Sequence, residues 1–142
     1  MEVGSLIARH GAAMVCGGLS GIMEAASRGA VQEGGTTIGI LPGSDKGEAN
    51  PHITFPIPTG MGVARNVLVV KTADVLVALP GGSGTLSEIA LALNIGRPVV
   101  DLGGWNIEGT HPASTAVEAV LLALELCESS KNQFGQRALP GK

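Results

Sequence analysis

The run Val75-Leu76-Val77-Ala78-Leu79, followed by Pro80-Gly81-Gly82-Ser83-Gly84-Thr85-Leu86-Ser87-Glu88, decides the fold. The first segment is continuously apolar rather than alternating, the pattern of a strand buried on both faces. A glycine-rich turn follows, and from Thr85 to Asn94 the apolar residues return at helical spacing. Strand, glycine turn and helix in that order form one half of a βαβ unit. The first N–H groups of such a helix have no partner within it and carry the positive end of its dipole, so the turn is suited to an oxyanion. It is not a Walker loop, because no Lys follows Gly84, and its spacing is not that of a dinucleotide fingerprint.

The same grammar extends in both directions. Met14-Val15-Cys16, Thr37-Ile38-Gly39-Ile40-Leu41 and Pro98-Val99-Val100-Asp101-Leu102 read as further buried strands. Helical spacing runs from Ser20 to Glu33, from Gly62 to Thr72 and from Thr115 to Ser129. Strands alternating with helices predict an α/β chain, a Rossmann-like three-layer sandwich on a parallel sheet. Right-handed crossovers place the C-terminal ends of all strands on one edge, where open sheets of this kind bind ligands. A looser glycine turn, Gly17-Gly18-Leu19-Ser20-Gly21, lies on that same edge between a strand and a helix. Pro42 to Gly60 carries Pro42, Pro51, Pro56 and Pro58 and little periodicity, and reads as one long loop. Residues 1–130 read as one nucleotide- or phosphate-binding domain, and 131–142 as a loose polar tail.

Composition excludes several classes. A chain of 142 residues, 44% hydrophobic and 15% charged, has the makings of one packed core rather than a disordered tail. A formal net charge of -3 provides no general attraction to nucleic acid or anionic lipid. Cys16 and Cys127 are too few for a disulfide framework, and His10, His52 and His111 share no ligand spacing, so no metal site is expected. No apolar run reaches the ~18 residues of a membrane span, and the first ten residues lack the features of a secretion signal. The expected location is the cytoplasm. The 22 glycines stand at about twice the ordinary level of ~7% and gather in pairs at the ends of apolar runs.

Two side chains near the glycine turns each support two readings. Thr85-x-x-Glu88 is a capping box, in which both side chains satisfy free N–H groups, and Thr115-x-x-Glu118 repeats it far from any glycine turn. Glu88 is otherwise a carboxylate at the ligand edge. Arg65, opening the apolar helix Val67-Leu68-Val69-Val70, either clamps a phosphate or carboxylate across the strand ends or is a solvated residue paired with Glu24 or Glu88. Trp105, after Gly103-Gly104, covers the sheet edge.

Pro80-Gly-Gly-Ser-Gly-Thr-Leu-Ser-Glu88, preceded by Arg65, resembles the PGGxGTxxE signature of the Lonely Guy (LOG) proteins, formerly labelled lysine decarboxylases, and of the molybdenum-cofactor carrier proteins grouped with them. The resemblance runs from about Met14 to Leu126. It implies Arg65 and Glu88 as a catalytic pair where the member is a nucleoside 5′-monophosphate phosphoribohydrolase. It also implies Gly17, Gly18, Gly21, Gly81, Gly82, Ser83, Gly84, Thr85 and Asn66 as ligand contacts. Loss of a base from ribose develops positive charge at C1′, which a carboxylate at Glu88 would stabilise. Gly17-Gly-Leu-Ser-Gly-Ile-Met-Glu24 departs from the LOG pattern GGxxGLMG, and Asn66 stands where LOG enzymes usually carry Lys. Ala49-Asn50-Pro51 and Ile57-Pro58-Thr59-Gly60-Met61-Gly62-Val63-Ala64-Arg65-Asn66 are similar to the carrier-like branch. These features favour binding of a phosphorylated nucleotide-like ligand, or of a molybdenum-cofactor-like one, over hydrolysis. The resemblance further implies a homodimer or higher homo-oligomer, for which Val67, Val70, Leu86, Ile89 and Leu93 offer apolar faces that could equally pack on the sheet.

Family members begin with a strand and loop ahead of the helix that corresponds here to Glu2–His10. In the 3-2-1-4-5 order that strand is central. The sheet is therefore expected to lack its first strand. The strands at Met14 and Val75 must then pair directly or leave a gap, at a cost in stability or binding. Three functions are compatible with the chain: a small-molecule carrier, a phosphoribohydrolase, or a catalytically idle relative.

Overall fold

A computed structural model describes residues 1–135. In chain order the elements are α1 (Glu2–Arg9), β1 (Met14–Cys16), α2 (Ile22–Gln32), β2 (Thr37–Leu41), β3 (Phe55–Pro58), α3 (Asn66–Thr72), β4 (Leu76–Ala78), α4 (Ser83–Asn94), β5 (Val99–Asp101), β6 (His111–Pro112) and α5 (Ala116–Gly135). Short 3₁₀ turns at Lys46–Glu48 and Gly62–Arg65 precede β3 and α3. Every strand pair is parallel, and helices cover both sides. The α/β, Rossmann-like class is as expected. The α5 helix continues past Ser129 to Gly135, and the remainder of the expected tail, 136–142, lies outside the described residues. Among the described residues no helix is long and apolar enough to cross a membrane.

The strands form two three-stranded sheets, β1-β2-β3 and β4-β5-β6, rather than one. Of the two outcomes open to β1 and β4, the chain adopts the gap. Met14 N–H bonds back to Thr36 and Leu76 N–H to Pro98, so those residues face β2 and β5. Alternation along a parallel strand then turns the peptide groups of Val15 and Val77 toward the inner edges. Helices hold the two halves together: α1 packs on α2 and α5 on one side, while α3 touches β1, β2 and α4 on the other. The α1–α2 contact is close because Gly4 and Gly29 have no Cβ to place against Ala26 and Met1.

The strand β3 corrects the reading of Pro42 to Gly60 as one loop. Proline has no N–H to give a central ladder but is tolerated on an edge. Pro56 and Pro58 sit in the outermost strand of their sheet, with Phe55 and Ile57 turned to solvent. The loops around it are tied to the core: Thr37 Oγ1 donates to the His52 carbonyl (2.6 Å) and Thr59 Oγ1 to the Leu41 carbonyl (2.6 Å). The two-residue strand β6 also escaped the sequence reading, being too short to carry a pattern. One core gathers Val70, Leu76, Ala78, Ile89, Ala92 and Val99, so two of the five candidate dimer residues, Val70 and Ile89, pack inside. Leu93 packs against that core, and Leu86 remains exposed.

Candidate functional site

The C-terminal end of β4 runs through Leu79, Pro80 and Gly81 into α4, which begins at Ser83, two residues before the expected start. Gly82 is its N-cap, and no side chain caps the helix. Thr85 therefore stands inside the first turn, and the capping-box reading of Thr85 and Glu88 does not hold. The same pattern at Thr115 and Glu118 is used for capping. There the Glu118 N–H donates to Thr115 Oγ1 (3.1 Å), and the Glu118 carboxylate accepts from the Ser114 N–H (2.8 Å). The difference is the handover: glycine lets α4 start early, beyond the reach of its own Thr and Glu.

The consequence at α4 is a set of free donors. The N–H of Leu86 bonds to the Gly82 carbonyl (3.2 Å), whereas those of Ser83, Gly84 and Thr85 find no acceptor among the described residues. Gly81 to Gly84 are exposed, and a Cβ at Gly82 or Gly84 would meet open space. Glu88 follows on the same helix, half-buried. Burial pushes its carboxyl above the ordinary carboxylate range, and the positive charge of Arg65 pulls it back part of the way.

Arg65 ends the 3₁₀ turn that feeds α3 and is half-buried rather than solvated. Its Nη1 donates to the Ile40 carbonyl (2.9 Å) near the end of β2. The same guanidinium lies against Gly17, occupying the space a side chain would need there. Arg65 Nε is buried and has no hydrogen-bond partner. The alternative pairing with Glu24 or Glu88 is not made, since among the described residues the one ion pair joins Arg9 and Glu33 (2.7 Å). Asn66 is 7% exposed, and its Nδ2 donates to Ser87 Oγ (3.4 Å), linking α3 to the helix that carries Glu88.

The second glycine turn follows β1. Gly18 adopts φ 76°, the left-handed region that glycine enters without penalty, and packs on Gly39 and the Leu41 side chain. Gly21, at φ 73°, is the N-cap of α2. Cys16 lies beneath this turn, its Sγ accepting from the Gly18 N–H (3.3 Å). Burial pushes the thiol up, and both Arg65 and Glu88 act on it, in opposite senses. The ends of β1 and β2, the start of α3 and the first turns of α4 thus share one electrostatic environment.

Three positioning residues went unnoticed or half-noticed in the sequence. Asn50, from the proline-rich segment, is 8% exposed and bonded to the Gly18–Leu19 turn. Asp101, 4% exposed, accepts from the N–H groups of Trp105 (3.1 Å) and Asn106 (2.8 Å) and so shapes the loop after β5. Trp105 does cover the sheet edge: its Nε1 donates to the Leu79 carbonyl (3.0 Å), pinning the approach to the glycine turn. Trp105 was read from the Gly103-Gly104 turn before it and Asn50 stood only in the stretch similar to the carrier-like branch, while Asp101 carried no signal of this role. A shallow cleft lined by Ala8, Ala13 and Thr36 lies away from these groups, at the other end of β1, and offers no charged side chain. Among the described residues no cluster of His, Cys, Asp and Glu could hold a metal ion.

A parallel α/β chain with open amides at one strand–helix turn and a guanidinium at the neighbouring strand ends defines a Rossmann-like protein with an anion-suited edge. Residues 1–131 match the SLOG cluster4 family, and the chain belongs to that family. A protein of Archaeoglobus fulgidus is 44% identical over 120 residues, covering 84% of this chain and 79% of its own. The molybdenum cofactor binding protein of Rippkaea orientalis superposes with a TM-score of 0.84 at 35% identity, over 88% of this chain and 83% of that one. The molybdenum cofactor carrier protein of Chlamydomonas reinhardtii does so with a TM-score of 0.81 at 38% identity, over 89% and 84% respectively.

Proposed function

We propose that the chain binds a phosphorylated, nucleotide-like or pterin-like small molecule, with its phosphate on the turn from Gly81 to Thr85. The observation that carries this reading is the set of three acceptorless N–H groups at Ser83, Gly84 and Thr85, in an exposed turn with no Cβ in the way. A helix start of this kind favours an anion by charge and by geometry together. Arg65 supplies a cation on the same edge, and its Nε has no protein partner. The names of the two structural relatives extend the candidate ligands to the molybdenum cofactor, carried as cargo. The residues fit the organic part of such a cargo, since amides and a guanidinium suit a phosphate ester. Glu24, in the first turn of α2, makes the second glycine turn a poorer place for another phosphate. A monophosphate is therefore preferred to a diphosphate.

Calorimetric titration with AMP tests the reading. Saturable binding that is lost in Arg65→Ala and Gly82→Val supports it, and absence of binding to AMP and to a pterin phosphate alike removes it.

A second reading, hydrolysis of the N-glycosidic bond of a nucleoside monophosphate, draws on Glu88. A half-buried carboxyl with a raised pKa and a nearby guanidinium is the kind of group that handles protons. In that reaction the C1′–N bond breaks, water gives its hydroxyl to C1′ and its proton ends on the base. Glu88 would take the proton from water and offset the charge developing at C1′. Free adenine released from AMP by the protein, and abolished in Glu88→Ala, distinguishes this reading from binding alone. Copies of the chain are further proposed to associate through the apolar face that leaves Leu86 exposed, which sedimentation of the wild type and Leu86→Glu checks.

A further inference from the structure

We propose that Asn50 is a positioning residue for the ligand, aiming the second glycine turn at it; this rests on the reading of the site given above. Asn50 reaches from the loop after β2 to the turn after β1. Its backbone N–H donates to the Gly18 carbonyl (2.9 Å). Its Nδ2 donates to the carbonyls of Leu19 (2.9 Å) and Gly18 (3.4 Å). Its Oδ1 accepts the N–H of His52 (3.0 Å), which fixes the amide so that the nitrogen faces the turn. Three of the four bonds are made by a side chain on a residue that is 8% exposed, where an unmatched amide would be costly.

The geometry of the peptide group gives this clamp its effect. In a trans peptide the N–H points opposite to the C=O. Holding the Gly18 and Leu19 carbonyls toward Asn50 therefore turns the N–H groups of Leu19 and Ser20 away from it. Neither N–H has an acceptor among the described residues. Free N–H groups at a turn are donors for an electronegative atom. Gly18 at φ 76° permits the bend, and the preceding residue, Gly17, carries the Arg65 guanidinium against it. The Leu19–Ser20 pair is thereby presented on the edge that already bears Arg65. It would take a neutral oxygen of the ligand, a sugar hydroxyl or ring carbonyl, while the phosphate rests on α4.

Titration of the ¹⁵N-labelled protein with AMP, read at single amides, tests the assignment. In the wild type the Leu19 and Ser20 resonances are expected to move with AMP together with those of Ser83, Gly84 and Thr85. Asn50→Asp keeps the acceptor for the His52 N–H, replaces the side-chain donor with a carboxylate oxygen that repels the two carbonyls, and leaves the backbone N–H on the Gly18 carbonyl. In that variant the Ser20 shift should be lost and the Leu19 shift reduced, and AMP affinity should fall about tenfold, about 1.4 kcal/mol, while the α4 amides still respond. Asn50→Asp retaining the Leu19 and Ser20 shifts overturns the proposal. If that variant does not fold, the wild-type titration decides: α4 amides that move while Leu19 and Ser20 stay still overturn the role of Asn50 and leave phosphate binding standing. If none of the five amides moves at millimolar AMP, the binding reading itself fails, and this one with it.

Discussion

The guanidinium of Arg65 fills the position that a side chain would occupy at Gly17. The missing Cβ at the end of β1 is thus what lets a cation from the start of α3 reach the strand edge and bond to the Ile40 carbonyl. Gly17→Ala places a methyl against the Arg65 guanidinium. The far end of a flexible side chain can move, so the fold should survive with a melting temperature lowered by about 5–10 °C. Arg65 would lose its charged hydrogen bond, a contact worth about 1.5–3 kcal/mol. AMP affinity is expected to fall at least about tenfold. Thermal melts and calorimetric titrations of the same variant check both parts, and unchanged affinity would contradict the role given to Arg65.

Gly82→Val should separate binding from stability. The new side chain meets no protein atom and the backbone there is extended, at φ -103° and ψ -153°. The cost is that of an unfavourable N-cap residue, up to about 1 kcal/mol. The valine would nevertheless stand over the free amides of Ser83 to Thr85. Loss of AMP binding with near-native melting is the expected result.

Glu88 makes stability depend on pH in a definite direction, and Glu88→Gln should remove that dependence. Burial raises the Glu88 carboxyl in the folded chain, so across that window the folded state holds more proton than the unfolded one. Stability contributed by this group is then full at low pH and lost as pH rises through the raised value. The glutamine variant should melt higher than wild type at pH 7. The difference should vanish below the ordinary carboxylate range, where Glu88 is protonated in both states. Melting curves of the two proteins between pH 4 and 8 measure it, and a variant that melts lower at pH 7 would reverse the assignment.

Thr115→Ala and Thr85→Ala should behave differently despite their shared motif. Thr115 Oγ1 accepts the Glu118 N–H at the start of α5, and its removal should cost about 1 kcal/mol. Thr85 makes no such bond, so its substitution should leave denaturant stability near that of wild type and lower AMP affinity instead. Paired urea titrations decide the first point and calorimetry the second.

Much of the fold was legible because it depends on local pattern. The continuous apolar runs at 14–16, 37–41, 76–78 and 99–101 became strands, and the helices between them fell within a few residues of expectation. Parallel strands buried on both faces leave that signature in sequence wherever they occur. The strand at Phe55–Pro58 left none, because an edge position tolerates proline and solvent-facing apolar residues alike. The candidate site was legible in part: Arg65, Glu88 and the two glycine turns could be named from their motifs, whereas the hydrogen bonds of Asn50 and Asp101 could not.

The order of residues by itself determined that β1 and β4 hand over to helices through glycine, and therefore that free amides would stand at the start of α4, since both effects act over a few neighbouring residues. Tertiary structure alone decided that Arg65 lies against Gly17, that Asn50 grips a turn 31 residues before it, and that β1 and β4 stand apart. Each of these depends on packing between segments distant in the chain. Local propensity carries no information about where such segments meet.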